Sequence, residues 1–318
     1  MTRPLHSISG HGLTAHFTDM GAILHDLRLD GHAPPLVLGL QDLDHYPEHS
    51  NYMGATAGRM ANRLGDARFG LDGMTHRTDP NFKGRHTLHG GSEGTGKRVW
   101  TLTERGEDYL IFALLLADGE MGFPGAMRVT ASFACRPGAT LRIEYEAVCD
   151  APTLCNFAHH SYWNLDGNPT LADHVLTVAA DRYVAVDSDL IPVGVAPVDG
   201  TEFDFRQGRA LPHDGLLDHN LCLSDARTDL RELGRLHSTA SGVTMRIATT
   251  EPGLQVYDGA KLATPVPGLE GRTYRAHAGC ALEPQLWPDA PNQPGFPSAV
   301  LRPGETYHQI STFQFSKG

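Results

Sequence analysis

An all-β chain folded as one large antiparallel β-sandwich is what this sequence predicts, on three observations. Apolar and polar residues alternate with period two in segment after segment, the pattern of a half-buried strand. The 35 glycines and 21 prolines are spread along all 318 residues instead of gathering in tracts, which suits many turns between short strands. Convincing helical periodicity is nearly absent.

In chain order, residues 13–17 and 22–29 read as the first strands, followed by 98–103 and 109–116. Met127, Val129, Ala131 and Phe133 then interleave with Arg128, Thr130 and Ser132. Leu141, Ile143, Tyr145 and Ala147 interleave in the same way with Arg142, Glu144 and Glu146. Between these runs lies Arg136-Pro137-Gly138-Ala139, where Pro presets a negative φ and Gly accepts a positive one, so the two form a hairpin. Further strands are expected at 174–179, 243–249 and 307–315. The best helix candidate, 226–236, is short and polar. Strands must therefore bury their apolar faces mainly against other strands. No long linker or internal repeat interrupts the chain, which predicts a single domain over residues 1–318.

With 26 basic against 37 acidic residues and a net charge of -11, the chain lacks the clustered Lys and Arg that nucleic acid or an anionic membrane demands. A small neutral ligand fits this balance. Five cysteines, Cys135, Cys149, Cys155, Cys222 and Cys280, are scattered with no CxxC pair, which fits reduced thiols better than a disulfide framework. No secretory apolar stretch opens the chain and no 18-residue apolar run occurs, so a soluble, cytoplasmic protein is expected.

Residues 158–167, AHHSYWNLDG, carry the strongest chemical signal. Imidazoles that hold or release a proton near neutral pH stand beside aromatic side chains with flat faces and polar tips, a combination suited to gripping and protonating a sugar. Four other motifs lie far from it in sequence: 57–65 (AGRMANRLG), 88–91 (LHGG), 218–220 (DHN) and 282–285 (LEPQ). Together they supply imidazoles, a guanidinium and two carboxylates.

In these motifs, and in 191–194 (IPVG), 200–206 (GTEFDFR), 251–257 (EPGLQVY) and 287–292 (WPDAPN), the chain resembles the aldose 1-epimerases, also called galactose mutarotases. The resemblance runs from about Asn51 to the C-terminus. LHGG or LEPQ alone means little, but so many matches in family order are specific. The resemblance implies a galactose mutarotase-like supersandwich and interconversion of the α and β anomers of free aldoses without a cofactor or metal. Such a reaction needs a base for the anomeric hydroxyl proton and an acid for the ring oxygen, so that the C1 to ring-oxygen bond opens without a high-energy ion.

By the same resemblance Glu283 is the base and His160 the acid; as a base Glu283 should be ionised at rest, with partial burial raising its pKa toward operating pH, and His160 must be protonated, or readily so, when the ring opens. His89 is a second active-site histidine near the ring oxygen. Arg63 and Asn62 donate hydrogen bonds to sugar oxygens, Asp218 accepts them from hydroxyls on the far side of the ring, and Gln255 is a further polar pocket residue. Trp163 stands in place of an aromatic residue and could stack on the sugar. His159 stands where the family usually has Asn, Pro284 where it has Thr, and Cys280-Ala281 where it has Phe-Cys. His159 thus leaves open which histidine of the pair is catalytic.

Three other readings compete. Eighteen histidines and the spacing His86-x-x-His89 raise a metal-dependent β-fold enzyme, although no HExxH or facial-triad spacing accompanies them. A non-catalytic sugar-binding or sensor protein would use Arg63, Asp218 and Trp163 without needing both Glu283 and His160. An epimerase of hexose 6-phosphates would want an added basic cluster, which the sequence does not display. The expected partner is a small aldose, with no nucleic acid or membrane, on a monomer or weak homodimer.

Overall fold

The computed structural model describes residues 3–211 and 217–318. Two large sheets dominate. The first has nine strands in the order Arg209–Leu211, His174–Val178, Arg231–Ser238, Val243–Thr249, Tyr307–Lys317, Thr140–Cys149, Met127–Arg136, Tyr109–Leu116 and Thr101–Arg105. The second has six: Tyr162–Trp163, Cys280–Gln285, Gly253–Tyr257, Asp218–Cys222, Arg182–Val186 and Pro192–Pro197. Their ladders are antiparallel. A three-stranded sheet, Leu5–Gly10, Leu13–Thr18 and Ile23–Leu29, precedes them.

Period-two alternation explains how the sheets meet. Leu141, Ile143 and Phe313 of the nine-stranded sheet share one apolar core with Leu221, Leu254, Val256 and Leu282 of the six-stranded sheet, and the N-terminal strands add Phe17, Leu24 and Leu27. Each strand thus gives alternate side chains to the interior. The expected hairpin forms, with Phe133 opposite Ile143 and Arg136 opposite Thr140, and its turn places both Gly138 and Ala139 at positive φ.

The helix expected at 226–236 does not form; Arg231–Ser238 is a strand between His174–Val178 and Val243–Thr249. A register shift between Glu232 and Gly234 explains the misreading. This bulge inserts one residue, so the inward-facing Leu233 and Leu236 lie three apart, a spacing that imitates a helix. Gly234 fits there because a Cβ would meet the Thr177 carbonyl oxygen at 2.0 Å. The strand expected at 98–103 starts later, at Thr101, because Arg98 and Trp100 bond instead to the backbone of Gly21 and Asp19. Among the described residues no helix is long and apolar enough to cross a membrane.

Candidate active site

The six-stranded sheet turns its other face toward a cavity of about 250 Å³. In Cys280–Gln285, Cys280 and Leu282 enter the core, so Glu283 projects the opposite way. Leu254 and Val256 likewise enter the core, leaving Gln255 directly opposite Glu283 in the ladder and Tyr257 opposite Asp218 on the next strand. Two short ladders bring the remaining motifs in. Arg63 pairs with Leu88, one residue before His89, and Thr56 pairs with His159, one residue before His160.

Asn62, Arg63, His89, His160, Asp218 and Glu283 all line this cavity, although more than two hundred residues separate the first from the last in sequence. His160 Nε2 lies 3.5 Å from Glu283 Oε1, and both side chains are buried. The ring centroids of His89 and His160 are 5.3 Å apart. Arg63 Nη2 donates to Asp218 Oδ2 at 2.9 Å, and Gln255 Nε2 donates to Asp218 Oδ1 at 2.6 Å. Asp218 is thus gripped at both oxygens.

Asn62 joins the two motif loops. Its backbone N–H donates to His89 Nδ1 at 3.2 Å, its carbonyl accepts the His89 N–H, and its side-chain oxygen accepts from Arg63 Nη1 at 3.3 Å. With Nδ1 of His89 accepting, the neutral ring carries its proton on Nε2 and offers a donor. Both Asn62 and His89 have positive φ, an uncommon conformation for residues other than glycine and one that clusters at functional sites.

Burial governs the electrostatics of the Glu283–His160 pair. Burial raises the Glu283 pKa well above the ordinary carboxylate range; Asp218 raises it further, while Arg63 opposes the shift. Burial lowers His160 to about 4, with Arg63 adding to that and Asp218 opposing it. His89 is pushed well below 6.5 by burial and by the charges of His160, Arg63 and Lys97. Both shifts run toward the uncharged forms of the two groups. The physical reason is that burial penalises two separated charges more than one neutral pair.

The run 158–163 is sorted by alternation. His160 and Tyr162 face the cavity. His159 points into the core, its ring against Phe133 and Phe313 and its Nε2 within 2.7 Å of Ser161 Oγ. The choice within the histidine pair falls on His160. Trp163, expected to stack on sugar, is fully buried and packs on Phe313 at 4.7 Å and Phe315 at 5.9 Å, because the strand turns its odd-numbered side chains inward. Gln255 lies behind Asp218 and is not part of the cavity lining.

Tyr52, Phe82, Tyr162, Tyr257 and Lys261 also line the cavity, with Asn51, Leu88 and Leu262, and none had an individual role from the sequence. Tyr162 and Tyr257 could have been found by stepping two residues from His160 and Gln255. Tyr52, Phe82 and Lys261 sit on loops, where no period points to them. Phe82 lies under the Arg63 guanidinium, 5.0 Å from ring centroid to Cζ. Arg59 is structural, bonded to the carbonyls of Pro124 and Gly125 and to Thr153.

His89, His160 and Glu283 are also a set whose ligand atoms lie within 4.8 Å of one another. The donor set fits a metal poorly. A metal-bound histidine normally donates its second ring N–H, whereas Nδ1 of His89 faces the Asn62 N–H and must accept. His86 turns away, with Nδ1 accepting from the Asp66 N–H and Nε2 beside Asp189.

The family model described as "Aldose 1-epimerase" matches residues 4–314. Galactose mutarotase of Rattus norvegicus is 40% identical over 295 residues, 90% of this chain and 85% of that protein. Aldose 1-epimerase of Escherichia coli K12 is 34% identical over 322 residues, 96% of this chain and 92% of that one. Among solved structures, an aldose epimerase homologue from C. elegans superposes with a TM-score of 0.93 at 32% identity, covering 99% of each chain. Galactose 1-epimerase from Lactobacillus acidophilus gives 0.84 at 26% identity, covering 99% of this chain and 95% of that one.

Proposed function

The chain belongs to the aldose 1-epimerase family, and from that premise we propose that it interconverts the α and β anomers of free aldoses by proton transfer between Glu283, His160 and the sugar. The observation that carries this reading is the pair itself: a carboxylate and an imidazole, both buried, 3.5 Å apart on the wall of an aromatic-lined cavity.

The reaction requires the two groups to hold one proton between them. With the proton on His160, Glu283 takes the anomeric hydroxyl proton while His160 gives its own to the ring oxygen. The C1 to ring-oxygen bond breaks, rotation about C1 to C2 presents the other face of the aldehyde, and the reverse transfers close the ring. A proton shifted between Glu283 and His160 leaves the net charge of the cavity unchanged. His89, donor at Nε2, assists at the ring oxygen. Arg63 and Asn62 hold sugar oxygens, and Asp218 accepts from hydroxyls on the far side. Gln255 acts through Asp218, which it orients. Trp163 has no contact role.

The same reading takes the chain as one domain, a monomer or weak homodimer, needing no cofactor and residing in the cytoplasm; five unpaired cysteines are in keeping with a reducing compartment. Polarimetry tests the activity. Freshly dissolved α-glucose, α-galactose, xylose and arabinose are mixed with enzyme, and an optical-rotation change no faster than buffer for all four ends the proposal. Glu283→Gln and His160→Ala should each lower turnover at least about a hundredfold, and a near-normal rate in either removes that residue from its role.

A further inference from the structure

Tyr52 lies in no role assigned above, yet its placement on the cavity wall is fixed by its backbone. Its φ is +62°, a genuine outlier for a bulky side chain that persists only where the surroundings enforce it. The surroundings do. His160 N–H donates to the Ala55 carbonyl and Gly54 N–H donates to the His160 carbonyl, so the turn carrying Tyr52 is tied to the backbone of His160 on both sides. The Ala55 N–H closes that turn on the Tyr52 carbonyl at 2.9 Å. Gly96 leaves room for the ring, since a Cβ there would stand 3.3 Å from Tyr52 Cδ1 and 3.2 Å from Ala55 Cβ.

Held in this way, the Tyr52 ring touches both histidines. Its centroid is 4.5 Å from that of His89 and 6.0 Å from that of His160, with the latter rings 30° from parallel. The Lys97 ammonium stands 5.8 Å from the Tyr52 centroid.

We infer that Tyr52 is a positioning residue: its ring is the wall that sets the imidazoles of His89 and His160 in their reactive orientation and keeps water off them. The inference rests on the reading of these histidines as the proton-transfer groups. Burial is the largest influence holding both imidazoles below 6.5, and the Tyr52 hydroxyl, itself pushed up to about 12 by burial, does not titrate in the working range. The other groups facing the two rings are Glu283 beside His160, Tyr162 at 5.1 Å from the His160 ring, Arg63 and Asp218 across the cavity, and Lys97 near His89. Of these, Lys97 alone packs over the Tyr52 ring, and Tyr52→Phe keeps that ring in place.

The test follows histidine titrations by NMR, assigned with His89→Gln and His160→Gln, alongside mutarotation kinetics across pH. In Tyr52→Ala water reaches the rings, so both imidazoles should titrate about one unit or more higher, and kcat should fall on the order of tenfold to a hundredfold as their orientation loosens. Tyr52→Phe keeps the ring and should stay within about twofold of the parent in kcat with unshifted titrations. If Tyr52→Ala fails to fold, Tyr52→Leu keeps apolar bulk without the flat face and should still lose about tenfold in kcat at an unchanged melting temperature. The inference is overturned by unshifted titrations with a change confined to KM, by Tyr52→Phe losing as much as Tyr52→Ala, or by full kcat in Tyr52→Leu. The titrations need no turnover, so a parent enzyme that mutarotates no aldose would end the functional reading while the NMR comparison still decides the role of Tyr52.

Discussion

Replacing Asp218 with Asn isolates the charge that this residue brings to the cavity. Its two oxygens accept from Arg63 Nη2 and Gln255 Nε2. An amide can keep its oxygen on Arg63 and turn its NH2 toward Gln255, whose Oε1 lacks a hydrogen-bond partner; a flip of the Gln255 amide then restores a hydrogen bond. Geometry survives and the negative charge is lost. A hydrogen bond to a charged group contributes about 1.5–3 kcal/mol, and a loss of about 2 kcal/mol corresponds to roughly 30-fold in kcat/KM. If Asp218 orients hydroxyls equally in ground and transition states, most of that loss appears in KM. The pH profile moves as well. Asp218 raises the pKa of Glu283 and opposes the lowering of His160, so its neutralisation lowers both, and the pH range in which the pair holds one proton shifts toward acid. Polarimetric kcat and KM between pH 4 and 8, with thermal melts as a folding control, measure both effects. A Asp218→Asn enzyme within about twofold of the parent in kcat/KM, or one whose profile moves toward base, would refute the reasoning.

Three further outcomes are expected. His159 is buried and neutral, its pKa lowered from 6.5 to about 3 chiefly by burial; between those values the unfolded chain binds a proton that the folded chain does not, so stability falls as pH drops below 6.5. At pH 5 this single group costs about 2 kcal/mol relative to neutral pH, and denaturant melts of His159→Asn should show a correspondingly smaller acid loss, while an identical loss would exclude His159 as the source. Trp163→Ala should destabilise by about 3–5 kcal/mol through the core cavity it leaves, and at temperatures where it stays folded its KM for sugar should match the parent; a raised KM would return Trp163 to the binding site. Exhaustive chelation should leave mutarotation unchanged, and activity lost on chelation and regained with a divalent ion would reinstate the metal reading of His89, His160 and Glu283.

Much of the fold was legible because a half-buried strand writes its burial into the sequence at period two. The hairpin of Met127–Arg136 and Thr140–Cys149 forms as expected. The misread stretch at 226–236 fails for a local reason, since one bulge residue near Gly234 converts a spacing of two into three. The six cavity residues expected from motifs are all polar groups on strands (Arg63, Asp218, Glu283) or beside short ladders (Asn62, His89, His160), where the resemblance and the pairing agree. Tyr52, Phe82 and Lys261 were invisible because loop residues reach the cavity by tertiary packing, which leaves no period to read.

The histidine run shows how far the same rule extends into the chemistry. Residues 159 to 163 alternate between core and cavity, and that one fact assigns His160 and Tyr162 to the site and His159 and Trp163 to the interior. By residue type the two histidines and the Trp are all suited to sugar. Position on the pleat decides otherwise. It also gives His159 a different meaning: an imidazole on the core side cannot reach the sugar, so its presence in place of Asn changes what acid does to the fold and leaves proton transfer to its neighbour. The two histidines should therefore separate in experiment, with His159→Asn altering acid stability and His160→Ala altering turnover.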